Sequence, residues 1–320
     1  TKEERGMNEK LKGTVCGVVA AICYGTNPLG ALSLYADGKN AESVLFYRYA
    51  LAVLMLGALM LVERKPFWVT RKEMGIISVL GVLFASSSQC LYFSFNHMDA
   101  GIASTILFVY PVMVAVIMAV LFKERVTLVT CLSILLALGG ITLLYNGDGG
   151  ATLSTAGVVL VLVSSLTYAV YIVVVNKSSL RMSSVKLSFY VLLVGTVFIV
   201  LSSFAGADYK LQALTTPSQW MYALLLALLP TVVSLVLMVV AVHNIGSTPT
   251  AIMGALEPLT AVVIGVTVFG EALTFRLCVG IVLILTAVML IIVGKSFSKA
   301  RLTRVVNYLG HVLQKTWRWK

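Results

Sequence analysis

A glutamate and a proline interrupt the otherwise apolar stretch Gly254-Ala-Leu-Glu-Pro-Leu-Thr-Ala-Val262. Of the 13 acidic residues, Glu257 is the one that lies about ten residues from either end of its apolar run. An ionised carboxylate at that depth costs several kcal/mol unless it meets water, a partner or a proton. Glu257 is therefore a candidate for binding a substrate, or for taking up and releasing a proton. Two other readings stand beside this one. Glu257 could be a hydrogen-bonded structural residue, because Pro258 removes an amide donor and loosens the carbonyl near Gly254. It could also be the fixed counter-ion of Arg48. Arg48 lies about five residues into its run, or ~8 Å at the helical rise, whereas Glu257 is ~18 Å from the same face. A direct salt bridge is at the limit of side-chain reach, and a water-bridged one is easier. Arg48 either snorkels to the headgroups or faces a cavity and attracts an anionic group such as an amino-acid carboxylate.

Aromatic and amide side chains complete a candidate chamber. Asn27 is followed by Pro28 and preceded closely by Gly25, so the first helix should bend there and free carbonyls. Gln89 and Tyr92 are three residues apart on one helical face. Tyr24, Tyr110 and Tyr171 are further candidates, although each tyrosine taken singly is more readily a packed core or interface aromatic than a ligand contact. Pro28, Pro111 and Pro258 are the expected helix-bend positions.

These residues must be held by membrane-length elements. The chain has 320 residues, 59% hydrophobic and 12% charged, with mean hydropathy +0.97, outside the range of a soluble core with a polar shell. Apolar runs long enough to cross about 30 Å of hydrocarbon as a helix lie near 13-36, 43-62, 74-96, 100-121, 127-146, 154-175, 187-205, 219-243, 248-269 and 274-294. The runs are long and continuous, which excludes a barrel of short alternating strands. The expected fold class is an all-α integral membrane protein with ten transmembrane helices. The first run is too long, and follows too polar a segment, for a cleaved signal, and is read as a retained span. The five cysteines, Cys16, Cys23, Cys90, Cys131 and Cys278, all fall inside apolar runs and are read as small core residues.

The net charge of +11 is distributed unevenly. With the N-terminus cytoplasmic, the inner side collects clusters such as Lys10 and Lys12, Arg64 and Lys65, Arg71 and Lys72, Lys123 and Arg125, and the basic tail. The outer side has only Lys39, Lys210 and Arg276. By the positive-inside rule both termini face the cytoplasm.

The chain also repeats itself. Residues 96-127 lie over 243-274 without gaps at a constant offset of 147, which aligns Pro111 with Pro258, Glu124 with Glu271 and Thr127 with Thr274. The same offset aligns Tyr24 with Tyr171 and Ser87 with Ser234, and sets Tyr110 opposite Glu257. Five spans in each half is an odd number, so the second half enters the membrane inverted. Inverted repeats of this kind characterise secondary transporters, which rock two halves about a midplane site. The expected organisation is a first five-helix repeat at 1-146, a short linker at 147-153, a second repeat at 154-295 and a basic amphipathic tail at 296-320. Leu302, Val305, Val306, Leu309, Val312 and Leu313 form one face of that tail, which is read as lying on anionic lipid. Glu124 and Glu271 fall at span ends and are read as helix-end or loop anchors.

The paired signatures YPVMVAVIMAVLFKERVT and LEPLTAVVIGVTVFGEALT, with Arg48 early in the second span, resemble the EamA-type transporters of the drug/metabolite transporter superfamily. The resemblance covers roughly residues 13 to 295. It implies a ten-helix carrier of the inner (cytoplasmic) membrane, often an exporter of amino acids or related small metabolites. The sequence has no GxxxxGK[ST] phosphate loop, no convergent Ser/His/Asp set and no metal-ligand spacing, so no cofactor, no metal and no enzyme activity is expected. Nucleic acid is not an expected partner. The expected function is secondary active transport of small metabolites by alternating access, with proton coupling resting on Glu257. An uncoupled channel or uniporter, and a membrane-embedded sensor or assembly subunit, remain alternatives.

Overall fold

The computed structural model describes residues 2-123, 128-145, 154-178, 180, 182-206 and 209-293. The linker beyond Tyr145, Glu124 and the tail from residue 294 lie outside them. The described residues form helices α1 (Lys2–Gly25), α2 (Asn27–Ala36), α3 (Ala41–Val62), α4 (Arg71–Ser94), α5 (Ala100–Leu107), α6 (Tyr110–Phe122), α7 (Leu128–Tyr145), α8 (Thr155–Lys177) and α9 (Ser184–Ser202). Next come α10 (Pro217–Ala227), a π-helical segment (Leu228–Val233), α11 (Ser234–Ile245), α12 (Ser247–Met253) and α13 (Leu256–Phe269). The last is α14 (Phe275–Val293).

Among the described residues, nine continuous or broken helices are long and apolar enough to cross a membrane, and the shorter apolar helix Leu128–Leu144 stands where the fifth span is expected. The spans begin at polar caps. Asn40 accepts from the Ser43 amide (3.0 Å), and Thr70 and Glu73 form a reciprocal capping box. Ser154, Ser183 and Thr216 cap α8, α9 and α10. Each satisfies a backbone donor that the helix itself cannot. Leu54, Val79, Val120, Leu128 and Leu135 remain exposed on the outside of the bundle, where hydrocarbon is their solvent.

The offset of 147 seen in the sequence is realised in the helix limits. α6 runs 110-122 and α13 runs 256-269; α5 starts at 100 and α12 at 247; α7 starts at 128 and α14 at 275. Packing follows the same pseudo-symmetry. α1 lies along α11 as α8 lies along α4, while α3 meets α9 and α5 meets α13. The fold is thus two inverted five-helix repeats. At the α4–α8 contact Ser87 Oγ donates to the Ser164 carbonyl (2.9 Å) and Ser164 Oγ to that of Ser87 (2.7 Å), a close approach that small residues allow.

Three spans break immediately before a proline. α1 gives way to α2 at Thr26 ahead of Pro28, α5 to α6 ahead of Pro111, and α12 to α13 ahead of Pro258. Proline in the first turn sacrifices no helical hydrogen bond, so it starts the second segment where it would kink a continuous one. A fourth interruption, the π segment around Pro230, lies in the span that sequence reasoning treats as uniform.

The cysteines depart from the expected core placement. Cys16, Cys23, Cys90 and Cys278 are half-buried, Cys131 is exposed, and all five are free. On the outer surface of a bundle bathed in lipid, a small apolar thiol gains nothing from the interior.

Candidate functional site

The broken spans converge on a cavity of about 500 Å³ between the two repeats. Gly25 at the end of α1 lets that helix reach α13, since a Cβ there would stand 2.5 Å from Thr260 Cβ and 2.6 Å from the Glu257 carbonyl. This places Glu257, in the first turn of α13, against Tyr24 and the α1–α2 break. Its carboxylate lines the cavity, and among the described residues no cation lies within 4 Å of it and no side chain hydrogen-bonds to it.

Arg48 lies seven residues into α3, ~10 Å along the axis, and is 3% exposed. Its Nε donates to Thr231 Oγ1 (3.0 Å) and its Nη1 to Tyr92 Oη (3.0 Å). The guanidinium therefore turns inward rather than snorkelling, and it lines the cavity without pairing with Glu257. Tyr92 is fully buried behind it and donates to Asn27 Oδ1 (2.7 Å).

The same cavity carries an aromatic wall. Tyr168 stacks on Tyr171 (ring centroids 5.7 Å, 8° between planes) and meets Tyr110 edge-on at 4.7 Å. Phe84 packs against Tyr171 at 5.4 Å, and Phe108 against Tyr110 at 6.1 Å. The cavity thus brings one arginine, one glutamate and a wall of aromatic rings together.

Of the candidates read from the sequence, Tyr24, Asn27, Arg48, Tyr110, Tyr171 and Glu257 line this cavity, as do Pro28, Pro111 and Pro258. Gln89 and Tyr92 do not. They share a helix but diverge, because the long tyrosine reaches across to α2 and α3 while Gln89 points between α3 and α9. There its Nε2 donates to both oxygens of Glu42 (3.1 and 3.0 Å) and to Ser202 Oγ (2.7 Å). Glu42, 2% exposed, is a buried acid that its place near a span end disguises. The sequence reading also passes over Tyr168 and Thr231. Tyr168 precedes Tyr171 by three residues, the same spacing that drew attention to Gln89 and Tyr92, and Thr231 follows a proline within an apolar run.

Glu271 lies outside the cavity, between spans. Its Oε1 accepts from the Ala100 amide (2.7 Å) and its Oε2 from the Gly101 amide (3.1 Å), so the second repeat caps the first turn of α5 in the first repeat. Burial pushes this carboxyl up from the ordinary range, and the two amides pull it back down. Glycine is required on both sides of it: a Cβ on Gly265 would fall 2.0 Å from Oε2, and one on Gly101 2.9 Å. No group of three His, Cys, Asp or Glu that could hold a metal occurs among the described residues.

Inverted repeats whose broken helices enclose a cavity with charged side chains are the architecture of a membrane transporter. The EamA-like transporter family model matches the chain twice, over residues 11–146 and 155–293, and the chain belongs to that family. It is 23% identical over 281 residues to the uncharacterized transporter YcbK of Bacillus subtilis (strain 168), covering 85% of this chain and 90% of that one. An uncharacterized transporter of Archaeoglobus fulgidus is 29% identical over 192 residues, covering 60% and 67%. One crystal structure aligns over 87% of this chain and 95% of its own with TM-score 0.62 and 14% identity, a likeness of fold alone.

Proposed function

We propose that this transporter is a secondary active exporter of small zwitterionic metabolites, such as amino acids or related compounds, that works by alternating access. The observation carrying the reading is that Arg48 and Glu257 face one cavity, unpaired with each other, across an aromatic wall. An α-carboxylate would meet the arginine fork, an ammonium would meet the glutamate, and an apolar side chain would lie on the rings of Tyr110, Tyr168 and Tyr171. Glu257, which has no cation within 4 Å among the described residues, is suited to exchange a proton when it is not holding an ammonium, which would couple export to an inward proton gradient.

The halves 1-146 and 154-295 would rock about this site. Cavity-lining Ser188, Thr250 and Ile292 lie toward the end that carries Arg64, Lys65, Arg71 and Lys72. With the basic loops inside, this conformer would face the cytoplasm, in a cytoplasmic membrane with both termini inside. The basic tail would rest on anionic lipid.

The test begins with thermal stabilisation of purified protein by a metabolite panel, because a ligand that binds only the folded state raises its apparent stability. Counterflow in proteoliposomes with the compounds found comes next. Trans-acceleration is expected of a carrier, whereas its absence would favour the channel reading.

A further inference from the structure

At the end of the cavity away from the Lys/Arg-rich loops, four elements meet at one guanidinium. Arg48 of α3 holds Thr231 of the π segment and Tyr92 of α4, and Tyr92 holds Asn27 at the head of α2. Tyr35 Oη adds a bond to the Tyr92 carbonyl (2.9 Å). Asn27, Arg48 and Tyr92 are each 6% exposed or less. These three belong to the first repeat and Thr231 to the second, so within this chain of bonds the Arg48–Thr231 contact is the one that crosses between halves.

Thr231 has its orientation fixed by an unusual backbone. Its hydroxyl donates to the Leu226 carbonyl, five residues back (3.0 Å), in a segment wound as a π-helix around Pro230. With its proton spent there, Oγ1 is left as an acceptor, which is what a guanidinium needs. Valine would fill the same space and leave a buried charged donor without a partner.

We propose that Thr231 is a positioning residue for transport: acting through Arg48, it holds the cavity shut at this end and turns the remaining edge of the guanidinium toward the cavity. The proposal rests on the carrier reading given above. A substrate carboxylate engaging that edge would compete with the ties to Thr231 and Tyr92 and so loosen the closure as it binds. The π segment is the element placed to respond, since its backbone leaves the regular α pattern where Thr231 sits.

The test needs no transported compound, so its failure and a failure of the amino-acid reading are separate results. In full-length protein with the five cysteines replaced by alanine, Ser104→Cys places a thiol on the cavity wall. A membrane-impermeant maleimide is then applied from the side of the Asp37–Asn40 loop, with Asp37→Cys as the control for access. Labelling of Ser104→Cys is expected to be slow in the parent, about tenfold faster with Thr231→Val, as expected for loss of a hydrogen bond to a charged group, and near the parent rate with Thr231→Ser. Thr231→Ala, which also removes the acceptor from Arg48 Nε, is a second opening variant if Thr231→Val does not yield folded protein. Equal rates in the opening variant and the parent would overturn the proposal. So would Thr231→Ser labelling as fast as Thr231→Val, since that would mark a packing effect rather than the hydroxyl.

Discussion

The fourth and ninth spans are two copies of one design, and they differ at the cavity and at the end where Glu271 is seated. Both break in the middle, both restart at a proline, and both end in a left-handed residue, Lys123 at φ 53° and Gly270 at φ 69°. At the restart one copy presents Tyr110 and the other Glu257 to the shared cavity. At the end, the second copy sets Glu271 into a seat made by Gly101 and Gly265. The first copy has Glu124 at the matching place, but the residues matching the two glycines are Thr248 and Met118. Backbone geometry is thus common to both copies, while the carboxylate at the cavity and the two seat glycines belong to one.

The largest effect is expected from erasing the charge that distinguishes the copies. Glu257→Gln should abolish the dependence of transport on a pH gradient in proteoliposomes, because the group that would exchange the proton is gone, whereas Tyr110→Phe should keep that dependence. Full gradient dependence in Glu257→Gln would end the proton-coupling reading. The next effect is steric. Gly265→Ala drives a methyl into the Glu271 carboxylate and should cost about 1–3 kcal/mol, read as a fall in Tm of the purified protein, while Met118→Ala at the matching site should cost less.

Glu271→Gln should follow at about 1 kcal/mol, because one of the two amide bonds to α5 is lost. A Tm unchanged by this substitution would mean that the seat adds no stability. The smallest change should run the other way. Lys123→Gly places the residue of the second copy at a left-handed position of the first, and should raise Tm by an amount matching roughly 0.5 kcal/mol.

Much of this was legible in the sequence, for physical reasons that can be named. Hydrocarbon thickness sets run length, so the ten spans stand out. Proline leaves its mark on a helix wherever it falls, so the breaks before Pro28, Pro111 and Pro258 could be read, and so could have been the one at Pro230. Glu257 and Arg48 were visible because a charge in an apolar run is rare. What stayed hidden depends on the direction in which a side chain points. Tyr92 and Gln89 sit on one face in projection yet serve different neighbours. Glu42 drew no attention because it falls just ahead of the apolar run at 43-62, and depth counted along the chain says nothing about the helices packed around it. Tyr168 was indistinguishable from a core aromatic until Tyr110 and Phe84 were brought against it.

The π-helical turn at Leu228–Val233 carries one residue more than an α-helix needs to span the same rise. That surplus is absorbed inside the wider turn. Deleting a single residue there would let the turn close as an ordinary α-helix while Ser234 to Ile245 kept their facing against Pro217–Ala227. Ser234, Leu235 and Met238 would stay in the cavity wall, and what would be lost is local: the bond from Thr231 Oγ1 to a carbonyl five residues back, which only the wider turn brings within reach.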